Sequence, residues 1–165
     1  MKNLTYILIL LLFFTNNSFS AGSSGGDGSD SDNKISNYKK AHNLIKSAKK
    51  YEKKGKTEKA QKRYAKAQKL LLKSNKEKPL QADTLNYLGF TTRKLGDYKK
   101  GEEFYLQGLQ IEPNHTGINE YLGELYIVTN RMDLAKGRLE VLKSCDCKEY
   151  KQLKEIIEGT KKSKY

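Results

Sequence analysis

Tyr87-Leu88-Gly89 returns, residue for residue, as Tyr121-Leu122-Gly123, 34 positions further along the chain. A fixed period of roughly 20 to 50 residues marks a stacked-repeat protein, in which each unit packs chiefly on its neighbours. Such a chain works through an extended surface. The functional question is therefore what that surface holds.

The period reaches outward in both directions. Gly55, Ala60, Tyr64 and Ala67 stand 41 residues before Gly96, Gly101, Tyr105 and Gly108. The excess over 34 is seven residues, close to two helical turns, so an extra stretch at 72–78 lengthens one helix while nearly keeping its phase. Pro79 then marks the end of that helix. On the other side, Ala135, Leu139 and Leu142 follow Gly101, Tyr105 and Gly108 by 34. Local patterning agrees. Ile35, Tyr38, Ala41, Ile45, Ala48 and Tyr51 recur every three or four residues and predict one helix, stopped by Gly55. Ala60, Tyr64, Ala67 and Leu71, flanked by Leu70 and Leu72, predict its antiparallel partner.

The second unit is the clearest copy: Leu85, Leu88, Gly89, then Gly96-Asp97-Tyr98, Gly101, Tyr105, Gly108-Leu109 and Pro113. It resembles the tetratricopeptide repeat, in which small residues mark the points where two helices touch and aromatic rings fill the gaps between them. The resemblance covers about residues 41–147. It implies an all-α, right-handed α-solenoid of about three helical hairpins with a C-terminal capping helix. Departures are specific. Gly101 and Gly108 replace the usual Ala, at about 1 kcal/mol of helix propensity each. The first unit has Ser47-Ala48 in place of the Leu-Gly pair. The third has Asn130 at the turn glycine and lacks the terminal proline. The units are expected at 38–79, 80–114 and 115–147. A cap and basic tail follow at 148–165, where Tyr150, Leu153, Ile156 and Ile157 share a helical face.

The ends of the chain read differently. Lys2, an apolar run over 4–14 and small residues at Ser18 and Ser20 before Ala21 have the form of a secretory signal at 1–20. Residues 21–37, rich in Gly, Ser and Asp, bury too little to offset their ordering entropy and are expected as a flexible linker. The protein is thus expected to be exported, periplasmic or secreted. Of the chain's net charge of +13, the segment 38–79 carries 16 basic residues against 3 acidic ones. Residues 80–165 hold 14 against 13 and are nearly neutral. That asymmetry points to an anionic partner for the first hairpin, or to a solvated lysine face.

Little in the sequence supports catalysis. His42 and His115 fall in different hairpins, and no nucleophile-base pair, phosphate-binding loop or carboxylate cluster accompanies them. No enzyme activity and no cofactor or metal are expected. Cys145-Asp146-Cys147 is the one reactive constellation. In an exported chain an even cysteine count favours a disulfide, here stapling the third repeat to the cap. Two reduced thiols holding a soft metal, or a redox dithiol, are the other readings.

The resemblance also implies a concave groove lined by the first helix of each hairpin, at the second, fifth, sixth, ninth, twelfth and thirteenth repeat positions. These map to His42, Ile45, Lys46, Lys49 and Lys53 in the first unit. The second supplies Asn86, Tyr87, Phe90, Arg93 and Lys94, and the third Tyr121, Glu124 and Val128. Lysines beside an amide and aromatics suit an anionic, partly apolar peptide, whereas a merely solvated groove is the alternative. The Lys and Asn clamp that grips a terminal carboxylate in chaperone-binding members is not reproduced as a set. The expected function is a non-catalytic periplasmic adaptor for a protein or peptide partner, with no nucleic acid. The alternatives are binding of an anionic polymer or membrane surface through the first hairpin, and thiol redox or metal handling at Cys145 and Cys147.

Overall fold

The computed structural model describes residues 35–163. Within them lie seven helices: α1 (Asn37–Lys53), α2 (Thr57–Glu77), α3 (Ala82–Lys94), α4 (Tyr98–Ile111), α5 (Thr116–Val128), α6 (Met132–Leu142) and α7 (Lys148–Ile157). They pair as three antiparallel hairpins, α1 with α2, α3 with α4 and α5 with α6, while α7 packs on α5 and α6. This is the expected α-solenoid with its terminal helix. The linker boundary shifts slightly. Ser36 caps α1, its Oγ accepting from the Lys39 N–H at 3.2 Å, so Asn37 is already helical. The signal and the remainder of the linker lie outside the described residues.

Three equivalent turns show how the sequence sets the hairpins. Gly55, Gly96 and Asn130 all take the left-handed conformation, with φ of 67°, 98° and 58°. In each turn the next residue donates back five positions: Lys56 to the Tyr51 carbonyl, Asp97 to that of Thr92, and Arg131 to that of Tyr126, at 2.9, 3.2 and 2.7 Å. That 6→1 closure satisfies a helix-end carbonyl and needs one left-handed residue, which Gly supplies without penalty and Asn tolerates. Asn130 therefore serves where the third unit lacks its glycine. The other helix ends follow a different rule. Lys78 and Glu112, each just before a proline, are pushed out of the helix to ψ near 90° (88° and 86°).

The seven-residue excess is now explained. α2 has 21 residues and α4 has 14. The buried residues of α2 stop at Leu71, so its last two turns extend beyond the repeat core.

The repeated triplet owes its glycine to close approach. A Cβ on Gly89 would lie 2.5 Å from the ring of Tyr105, a fully buried residue of α4. A Cβ on Gly123 would lie 2.6 Å from Leu153 of α7. Leu88 and Leu122, between Tyr and Gly in the two copies, have no exposed surface, and burying a leucine is worth about 1.5–3 kcal/mol each. Two core clusters result. One spans α1 to α3, through Ile45, Tyr64, Leu71, Leu88 and Phe90. The other joins Tyr105, Ile118, Leu122 and Leu125. Among the described residues no helix is long and apolar enough to cross a membrane; the apolar run at 4–14 lies outside them.

Candidate functional site

The first helices of the hairpins bring His42, Asn86, Tyr87, Lys49, Phe90 and Tyr121 together. His42 on α1 meets the Tyr87 ring edge-on, centroids 5.3 Å apart, and stacks with Tyr38 at 6.4 Å. Two turns along the same helix, Lys49 holds its ammonium 4.4 Å from the Phe90 ring centre and donates to the Tyr121 hydroxyl at 3.1 Å. Phe90 and Tyr121 themselves pack at 5.1 Å. Lys49 thus covers an aromatic pair contributed by two successive repeats, a cation–π arrangement worth about 0.5–1 kcal/mol at a partly exposed site.

A pocket of about 390 Å³ opens beside this cluster. It is lined by Lys49, Tyr87 and Tyr121, by Asp83, Asn86, Glu120 and the His115–Gly117 turn, and by Lys148, Glu149 and Gln152 of α7. Asn86 is buried, and its Oδ1 has no hydrogen-bond partner among the described residues. His115 caps α5 by accepting from the Ile118 N–H at 3.1 Å, and its other ring nitrogen lies 3.2 Å from Asp83. Burial pushes the Tyr121 and Tyr87 phenols above their usual range, so both keep their protons. His42 is pushed the other way, first by burial and then by Lys46 and Lys49, which favours the neutral ring.

Several expected groove residues are placed differently. Arg93 and Glu124 lie beneath the groove, with side-chain exposures of 0% and 1%. The Arg93 guanidinium donates to the Tyr121 carbonyl at 2.8 Å and stands 3.8 Å from the Glu124 carboxylate, which also accepts from Ser163 at 3.3 Å. They support the floor and do not face a partner. Phe90 and Ile45 are also buried, at 1% and 2%. Lys94 is drawn to Glu52 at 2.6 Å, tying the first repeat to the second. Lys46 and Lys53 are exposed on α1, and Val128 is half-buried near the end of α5. The pocket is also not purely basic, because Asp83, Glu120 and Glu149 share it with the lysines.

Sequence reasoning leaves out Asp83, Gly117 and Glu120, although the positional rule reaches all three. They are the second position of the second unit and the second and fifth of the third. The α7 contribution had no such signal, because a helix outside the repeat has no position in the rule. The loop before α7 carries Cys145 and Cys147, Cα atoms 5.2 Å apart with their sulfurs drawn together as a pair. Cys147 is the residue just before α7. The pair closes a ring within this loop and does not tie α6 directly to α7. Among the described residues no group of three or more His, Cys, Asp or Glu side chains is placed to hold a metal ion.

Solved structures share this architecture. The type III secretion translocator chaperone SycD of Yersinia enterocolitica superposes with a TM-score of 0.54 at 17% identity, over 83% of this chain and 93% of that one. Three hairpins, the second and third 34 residues apart and the first displaced by seven more, are closed by equivalent left-handed turns and accompany that likeness. The chain has the tetratricopeptide-repeat fold. The first tetratricopeptide domain of Spaghetti (RPAP3), solved with the HSP90 peptide SRMEEVD, is also similar, with a TM-score of 0.48 at 18% identity over 77% of this chain and 97% of that one. No protein-family model and no curated protein matches the sequence. In repeat terms the pocket lies between the first helices of units two and three, with α7 as its far wall.

Proposed function

We propose that this protein is a non-catalytic adaptor that captures an extended segment of a partner protein in the groove along α1, α3, α5 and α7. One observation carries the reading: an open pocket of about 390 Å³ brings together Lys49 of α1, Asp83 and Tyr87 of α3, Tyr121 of α5 and Lys148 and Glu149 of α7. Lys49 and Lys148 would take acidic side chains, Asp83 and Glu149 basic ones, and Tyr87 and Tyr121 offer apolar edges with polar tips. Mixed charge favours a partner segment carrying both signs over a uniformly anionic one.

The test is selection of binders from a random peptide library displayed against the full chain. Selected peptides should lose at least about tenfold in affinity for a Lys49→Ala, Tyr87→Ala variant, since the two side chains flank the pocket and each interface anchor is typically worth over 1 kcal/mol. A Lys99→Ala, Lys136→Ala variant, altered on exposed second helices, should bind as the native chain does. Peptides that bind both variants equally well would refute the groove.

The same proposal places the adaptor in an exported compartment. The signal-like residues 1–20 and the paired cysteines support that placement, since disulfides persist where the environment is oxidising. Intact mass of the natively produced protein should show a chain starting at Ala21 and two hydrogens lighter than its dithiol. A full-length, reduced chain would contradict both export and the Cys145–Cys147 bond.

A further inference from the structure

The outer face of α2 carries a single uninterrupted row: Lys59, Lys62, Lys66, Lys69, Lys73 and Lys76. Spacings alternate between three and four residues, so the six side chains run along one side of a straight helix for about 26 Å. That side lies opposite the buried line of Ala60, Tyr64, Ala67 and Leu71. All six lysines are exposed. Among the described residues only Lys62 has an ion pair, with the equally exposed Glu58 at 2.8 Å; the other five make none. No acidic residue occurs between Lys59 and Lys76.

The repeat itself does not require this. The first four row positions correspond on α4 to Lys100, Glu103, Gln107 and Gln110, where Lys100 and Glu103 pair at 2.6 Å. The first three correspond on α6 to Leu134, Gly137 and Val141. Only the first hairpin makes the face cationic. Its two additional turns extend the row by Lys73 and Lys76, beyond the last core residue, Leu71.

We propose that this row docks the protein on an anionic phospholipid surface. The chemistry selects that partner over nucleic acid. Lysines are point charges suited to a diffuse array of phosphates, whereas recognition of individual phosphates or bases favours the forked guanidinium. The hairpin's one arginine, Arg63, is engaged on the Tyr51 ring at 4.4 Å and on Ser47 at 2.8 Å. Bases need aromatic platforms, and the row has none: Tyr64 is fully buried, Tyr51 lies under Arg63, and Tyr38 stacks with His42. A row along one side of a helix meets a flat headgroup layer with several charges at once. Leu72, four residues before Lys76 and 48% exposed, adds an apolar side chain beside the row.

The test is sedimentation of the full chain with vesicles of phosphatidylcholine alone and of phosphatidylcholine mixed with phosphatidylglycerol. Binding should require the anionic lipid and fall away at high salt. Near an anionic surface each lysine is worth about a fivefold gain in partitioning, so Lys66→Gln, Lys69→Gln, Lys73→Gln should lower it on the order of a hundredfold. The charge-matched control Lys99→Gln, Lys136→Gln, Lys151→Gln should stay within a few-fold of the native chain. Equal loss in the control would reduce the effect to net charge and overturn the row. Binding to neutral vesicles that survives the triple change would assign attachment to the apolar residues 4–14 instead. Preference for double-stranded DNA over anionic vesicles would overturn the lipid assignment. None of these outcomes touches peptide capture, which uses other side chains.

Discussion

Replacing Arg93 by Met should lower the unfolding free energy by about 3–5 kcal/mol, the usual cost of removing one partner of a buried ion pair. Globular domains hold only about 5–15 kcal/mol in total, so the variant should lose a large share of its stability. The geometry explains the size. Arg93 and Glu124 have almost no exposed side-chain surface, and Arg93 also binds the Tyr121 carbonyl on the next repeat. Its loss strips the buried carboxylate of its countercharge and frees a carbonyl beneath the pocket at the same time. Urea unfolding followed by far-UV circular dichroism measures this. The double variant Arg93→Met, Glu124→Leu should recover most of the loss, because a buried pair replaced by apolar groups is often neutral. Arg93→Lys should recover little, since one ammonium cannot reproduce the planar fork. A single Arg93→Met change that leaves the urea midpoint unmoved would show that the pair contributes nothing to stability. The consequence for function is indirect. Arg93 holds α3 to α5, and those two helices place Asn86, Tyr87 and Tyr121 around the pocket.

Arg93 also marks where sequence stopped being informative. The period was legible because packing imposes it: Gly89 and Gly123 are small wherever two helices approach closely, and Gly55, Gly96 and Asn130 occupy turns that need a left-handed residue. The seven-residue lengthening of α2 was legible for the same reason, since phase must be kept around a helix. Charged residues carry no such imprint. Arginine and glutamate are exposed by default, so Arg93 and Glu124 were expected on the groove surface, and only their three-dimensional pairing shows them beneath it. Lys94 was likewise expected to face the groove, yet it is held by Glu52 from the neighbouring repeat. Pairings between repeats depend on which rotamers reach across an interface, and spacing alone does not encode them. Two of the pocket's three acidic residues, Asp83 and Glu120, were within reach of the positional rule. Its α7 wall was not, because that helix has no repeat register.

The two copies of Tyr-Leu-Gly solve the same packing problem with different partners, which leads to a size-exchange experiment. Gly89 is faced by the Tyr105 ring of its own hairpin, whereas Gly123 is faced by Leu153 of α7. Leu153 is fully buried. Leu153→Ala should therefore cost about 2–5 kcal/mol, as large-to-small changes in cores do, and should loosen the helix that closes both the solenoid and the pocket. Gly123→Ala alone should also destabilise, by about 1–3 kcal/mol, because the added methyl would meet Leu153 at 2.6 Å and overpacking outweighs its better helix propensity. Combined, the two changes oppose each other: the methyl at 123 occupies part of the space that Leu153 vacates. The double variant should lose less than the sum of the single losses, by about 1 kcal/mol or more, a coupling expected only between side chains in contact. Urea midpoints of the four proteins measure it directly. Strict additivity would mean that α7 does not rest on Gly123 in solution, and the pocket would then lack its third wall. The same exchange made with Gly89→Ala and Leu153→Ala should be additive, since that glycine faces Tyr105 and not the cap. Coupling at one copy of the triplet and not at the other would establish that α7 takes, over the last repeat, the place that Tyr105 of α4 takes over the second.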